Sequence, residues 1–267
     1  MAPYSIEKVY KEINTIDGYF CEKKDGSEYA GKEIKKYCYH NWRSQGFGTC
    51  LDYLQSASSG VFILLKSLEN YGLEYDKLAE YAILFLSYKL KQHSEHKSTK
   101  LNEFYTKRIG IDKHFKEKIN GYDNMTYKDI IDKKKDLMNM NINEISKFNG
   151  LFSILCKLYN GINKSNLDCK NCSEDANKFS DQFKELNNDS NINENTSYSK
   201  LLSTLSDDYN NLINKCTDFP PLPKVKTPLT KLIPVLSTFP VIPVFLGIAY
   251  KTIYKKEIKK SKEEIET

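Results

Sequence analysis

The chain has 267 residues, with 40 Lys and Arg against 35 Asp and Glu and a formal net charge of +5. Residues 224–231 hold three lysines and no acid, and residues 251–267 hold six lysines and four glutamates, which leaves 31 residues of each sign in 1–223. A body this neutral argues against nucleic-acid binding, which needs clustered cations to displace phosphate counterions.

Only Arg43 and Arg108 are arginine. With abundant Asn, Ile and Tyr, this reads as AT-rich coding bias, and it leaves few guanidinium forks for clamping phosphate or carboxylate. The opening MAPYSIEKVYKEI is charged at Glu7, Lys8, Lys11 and Glu12 and has no apolar h-region. It does not read as a secretory signal, so membrane targeting is expected to rest on the C-terminal span itself or on a signal of another kind.

Residues 1–216 show helical periodicity and almost no strand alternation. Residues 60–68 (GVFILLKSL) read as a core helix. Leu78, Tyr81, Ala82 and Phe85 form the stripe of the next, with Asp76 placed to cap it. The run QHSEHKSTK, with His93 and His96, is polar all round and reads as a solvated helix end. His40 and His114 stand apart from it.

Tyr127, Ile130, Ile131, Leu137 and Met138 mark another face; Lys133, Lys134 and Lys135 read as a surface run balanced by Asp129, Asp132 and Asp136. A longer stripe joins Ile145, Phe148, Phe152, Leu155, Cys156 and Tyr159. Ala176, Phe179, Phe183 and Leu186 follow, with Ser173 as cap and Glu174 and Asp175 in the favourable first turn. Residues 187–197 (NNDSNINENTS) are expected to be a mobile loop. Leu201, Leu205, Tyr209, Leu212, Ile213 and Cys216 form the last stripe, with Asp207 and Asp208 on its solvated side. Together these faces predict one helical core.

Residues 218–228 (DFPPLPKVKTP) carry four prolines and cannot continue a helix, so 217–231 is expected to be a semi-extended stalk. Beyond it, 232–250 (LIPVLSTFPVIPVFLGIAY) contains no charge. As a helix it would span about 28 Å, close to the hydrocarbon thickness of a bilayer. Pro234, Pro240 and Pro243 count against a soluble core helix but are tolerated in membranes, with a kink near the last two. Leu232 to Tyr250 is therefore read as a membrane anchor. Lys251, Lys255, Lys256, Lys259 and Lys260 crowd its far side, which places the tail in the cytosol and residues 1–216 outside it.

All seven cysteines, Cys21, Cys38, Cys50, Cys156, Cys169, Cys172 and Cys216, precede this anchor. An oxidising exterior favours disulfides, and the odd number leaves at least one unpaired or intermolecular. Cys156 and Cys216 lie on apolar stripes, and a bridge there would pin a helix to its neighbour or to the 169–172 loop. The competing reading takes Cys169-x-x-Cys172 as half a zinc site, though no second C-x-x-C or C-x-x-H pair completes it. Buried free thiols account for one or two positions.

No G-x-S-x-G, H-E-x-x-H, G-x-G-x-x-G or P-loop pattern occurs. The chain is read as a non-enzyme without a metal, cofactor or small-molecule substrate.

Six blocks carry a resemblance: LSYKL (86–90), LNEFYTKRI (101–109), IIDKKKDLM (130–138), ISKFNGLFSILCKLYN (145–160), YSKLLSTLSDDYNNLINKC (198–216) and KLIPVLSTFPVIPVFLGIAYK (231–251). In this order the chain resembles the Plasmodium interspersed repeat (PIR) proteins, the Cir/Bir/Yir variant antigens of rodent malaria parasites. It departs in its short spacer before residue 232. The resemblance implies an all-α, multi-helix ectodomain with disulfides over 1–216, a stalk over 217–231, one transmembrane helix over 232–250 and a short basic cytoplasmic tail over 251–267.

It also implies an exported single-pass antigen displayed at the infected erythrocyte, implicated in antigenic variation and host-cell adhesion. Its expected partners are membrane lipid and a host-cell receptor or antibody, with no nucleic acid. The alternative is a structural or trafficking component of parasite-derived internal membranes.

Overall fold

A computed structural model of the protein describes residues 5–22, 28–38, 48–120, 124–164 and 169–227. Within them the chain is predominantly helical with a single two-stranded hairpin and two disulfides. No helix among the described residues is long and apolar enough to cross a membrane. The predicted anchor residues Leu232, Pro234, Pro240, Pro243 and Tyr250 and the flanking Lys251, Lys255, Lys256, Lys259 and Lys260 lie outside the described residues.

Helix α1 (Ile6–Asp17) buries Val9, Tyr10, Ile13 and Ile16, an i, i+3/i+4 stripe. Strands β1 (Phe20–Glu22) and β2 (Glu28–Ala30) then pair antiparallel, with Phe20 opposite Ala30 and Glu22 opposite Glu28. These strands escaped the sequence reading because three residues are too few to establish a period of two. A single turn, α2 (Lys32–Lys35), follows.

Helix α3 (Tyr53–Leu68) begins at Asp52, whose side chain accepts from the Gln55 amide at 2.8 Å. A Cβ at Gly60 would lie 2.8 Å from the Phe20 ring, so this glycine lets the hairpin sit directly on the helix. Gly72, at φ 71°, makes the left-handed turn that reverses the chain. Helix α4 (Tyr75–Gln92) runs back along α3, with the Tyr53 hydroxyl reaching the Lys89 carbonyl at 2.8 Å. It is buried nearly all round, Leu78 through Ser87 without a break, and it packs on α3, α7 and α6. Its N-cap is Glu74, not Asp76, which stands one residue inside the first turn.

The middle of the chain is built from short pieces. These are α5 (Leu101–Phe104), a π turn over Tyr105–Ile109, and α6 (Tyr127–Asp132) with a Thr126–Asp129 capping box. Helix α7 (Ile142–Lys164) contacts α1, α4, α8 and α10. At its start Asn141 and Glu144 exchange side-chain bonds with each other's amides, at 2.9 and 3.1 Å.

Helix α8 (Ser173–Asn188) has Cys172 at its N-cap, so the expected Ser173 is its first residue; the Ser173 hydroxyl bonds back to the Cys169 carbonyl. Residues 187–197, read from composition as a loop, contain a helical turn, α9 (Ser190–Asn193). Ile192 is its buried plug, and Asp189 caps it by accepting from the Asn191 amide. Helix α10 (Thr196–Ile213) starts under Asn195, which accepts from the Ser197 and Tyr198 amides.

The compact unit runs past α10 to Thr227. Residues 217–227 have no regular structure, as three closely spaced prolines require, yet they are fastened to the domain. Phe219 is buried against Tyr209, whose hydroxyl donates to the Pro220 carbonyl at 3.1 Å. The Asn187 amide bonds both ways, to the Lys224 carbonyl at 2.9 Å and from the Lys226 amide at 2.8 Å. The first eleven residues of the expected stalk thus lie along α8 and α10.

Candidate functional site

Two charged groups that sequence reading left at the surface, Asp208 and Lys134, are buried against α4, and a third buried charge, Lys89, belongs to α4 itself. Asp208 on α10 is 3% exposed. The Tyr10 hydroxyl donates to its carboxylate at 2.8 Å and the Tyr81 hydroxyl at 2.9 Å. The Tyr159 hydroxyl takes its carbonyl at 2.7 Å. Tyr10 stacks on Tyr159 with centroids 4.3 Å apart, so one carboxylate organises the aromatic centre. Burial pushes the Asp208 carboxyl up to about 7, against the pull of the two hydroxyl bonds. Burial also drives the Tyr10 hydroxyl well above its ordinary value.

Lys134, the centre of the expected surface run, is tucked between Glu80 at 2.8 Å and Asp76 at 3.1 Å. Glu80 in turn accepts from Thr204 of α10 at 2.7 Å. Lys89 is fully buried and meets Asp17 at 2.7 Å, Glu28 at 2.8 Å and Gln92 at 2.9 Å, with its ammonium 4.2 Å from the Phe20 centroid. Through Lys89, Tyr81 and Glu80, helix α4 ties α1, the hairpin, α10 and the segment after α6 together. The charged and hydroxylic groups of this centre are engaged in packing contacts.

The cysteines divide cleanly. Cys38 bridges Cys50 with Cα atoms 4.8 Å apart, and Cys169 bridges Cys216 at 5.5 Å. Cys21, Cys156 and Cys172 take part in no disulfide among the described residues. The second bridge joins the last apolar stripe to the loop before α8, one of the pairings that the stripe position of Cys216 allowed. It also removes the half zinc site, because Cys169 has no thiolate to share with Cys172. Cys156 is buried, and burial raises its thiol well above the ordinary value, as suits a packed and unreactive sulfur.

Surface features are modest. The exposed large apolar side chains among the described residues are Tyr29, Leu51 and Ile111. One cleft of about 410 Å³ lies between α10 and the fastened segment, with Lys200, Asp207, Asn210 and Leu222 in its walls. Another, also about 410 Å³, lies between α4, α7 and α8 and is lined by Lys91, Lys157, Lys178, Asp175 and Gln182. The histidine run departs from expectation. His93 is only 8% exposed, with its ring 4.1 Å from that of Tyr53, because Tyr53 at the start of α3 covers the end of α4.

Comparison with known proteins places this architecture. The family pattern described as "Plasmodium variant antigen protein Cir/Yir/Bir" matches residues 10–251. No curated protein matches the chain. A solved structure described as "Structure of a Plasmodium PIR protein ectodomain" is 34% identical, with a TM-score of 0.63 over 83% of this chain and 99% of that one. A match across the helical core and the uncharged stretch after it, together with the shared ectodomain fold, leads to one conclusion: the chain belongs to the Plasmodium PIR family of Cir/Yir/Bir variant antigens.

Proposed function

We propose that this protein is a single-pass variant surface antigen. Its disulfide-bonded helical domain faces away from the cytosol and is displayed at the infected erythrocyte, where a host-cell receptor or antibody meets it. The observation that carries this reading is the ectodomain likeness, which covers nearly all of the matched structure and is followed here by the uncharged residues 232–250. That stretch serves as the transmembrane helix, and the lysines from Lys251 onward hold a short tail at the cytosolic leaflet. Packing centred on α4 and two disulfides suit a stable scaffold whose loops are free to vary. Antigenic variation and adhesion are the roles this design supports.

Intact infected erythrocytes treated with an external protease provide the test. Loss of the 1–227 domain, with a protected fragment carrying the tail epitope, is the expected result. A full-length chain that survives treatment of intact cells and is cut only after permeabilisation would place the protein on internal membranes and overturn surface display.

A further inference from the structure

The turn that ends α4 gathers three metal-ligating side chains. After Gln92 the backbone leaves the helix at His93 (φ −89°, ψ 123°), and the His93 carbonyl then accepts from both the His96 and the Lys97 amides at 3.0 Å. This tight reversal brings one ligand atom each of His93, Glu95 and His96 within 4.8 Å of one another. The imidazoles are supported from one side. The His96 ring stacks on Tyr53 at 5.7 Å, the two imidazole centroids are 4.8 Å apart, and Tyr53 is itself held by Glu28 at 2.6 Å. Glu95 is exposed, so the cluster has a packed back and a front open to water.

We propose that this turn binds a divalent transition-metal cation of the zinc class through His93, Glu95 and His96, with water completing the coordination. Two imidazole nitrogens and one carboxylate suit such ions, whereas calcium and magnesium want shells of oxygen. Ligand atoms around tetrahedral zinc stand about 3.3 Å apart. Rotation of the exposed Glu95, with a small in-place adjustment of the imidazoles against Tyr53, would close the remaining distance. The Nδ1 atom of His93 accepts from the Glu95 amide at 3.3 Å, a long bond that a cation displaces at small cost. The bound ion would clip the end of α4 to the start of α3 through the shared tyrosine.

The test uses the full chain in detergent, without a polyhistidine tag, titrated with ZnCl₂ by calorimetry. One equivalent is expected to bind, and His96→Ala and Glu95→Gln should each weaken binding by about tenfold or more. Both substitutions lie in a solvent-facing turn, and an unchanged melting temperature in EDTA checks that each variant folds. With Co²⁺ as the probe, the spectrum should lack a sulfur-to-metal charge-transfer band. Failure to bind, an affinity unchanged by both substitutions, or a thiolate band from Cys21 or Cys172 would each overturn the proposal.

Discussion

The two ends of the domain are held together by different physics. Around Lys89 the N-terminal helix, the hairpin and the end of α4 meet in a polar web of Asp17, Glu28, Gln92 and Tyr53, beside a disulfide whose partners are only 12 residues apart. Around Tyr209 the C-terminal helices meet through stacked rings, Phe179 at 4.4 Å and Phe219 at 6.1 Å, beside a disulfide that spans 47 residues. The first region depends on complementary charge taken out of water, and the second on apolar burial plus a covalent limit on the unfolded chain.

The comparison breaks most visibly at Lys89. Lys89→Ala leaves Asp17 and Glu28 facing each other without their cation, and we expect a loss of about 3–5 kcal/mol in urea unfolding. A loss under about 1 kcal/mol would mean that the web is solvated and that the contrast between the two ends is false.

The disulfides sharpen it next. Chain-entropy arguments assign about 4 kcal/mol to the 47-residue closure and about 3 kcal/mol to the 12-residue one. The double variant Cys169→Ser/Cys216→Ser should therefore unfold at lower denaturant than Cys38→Ser/Cys50→Ser, and the reverse order would show that the short bridge carries the greater constraint.

Asp208 provides the smallest effect, read from pH. Its folded carboxyl titrates near 7 and its unfolded one near 3.9, so between these values the folded state holds the extra proton. Stability from this group is complete below about pH 4 and declines as pH rises toward 7, by about 2 kcal/mol between pH 5 and pH 7. Asp208→Asn should remove that slope while keeping a polar partner for Tyr10 and Tyr81. Parallel pH profiles of the variant and the natural protein would contradict the assignment.

Apolar periodicity was readable wherever helices are long and one-sided. The stripes through Leu78, Tyr81 and Phe85, through Phe148, Phe152 and Leu155, and through Leu201, Leu205 and Tyr209 all lie in the core. Charged residues were the opposite case. Lys134 sits among acids in sequence and reads as solvated, yet its partners are Asp76 and Glu80, more than fifty positions away. Asp208 differs from its neighbour Asp207 only in which side of α10 it occupies, and composition cannot express that. His93 was likewise read with its polar neighbours, when what buries it is a tyrosine forty residues earlier.

By itself, the sequence determined the helical class, the apolar faces, the neutral charge of the body and the family to which the chain belongs, because each follows from local spacing or from the order of residue blocks. Tertiary structure alone decided which cysteines pair, which charges are buried, how the segment after α10 is fastened and which side chains converge at the end of α4. Those outcomes depend on contacts between residues far apart in the chain, where spacing along the sequence carries no information about distance in space.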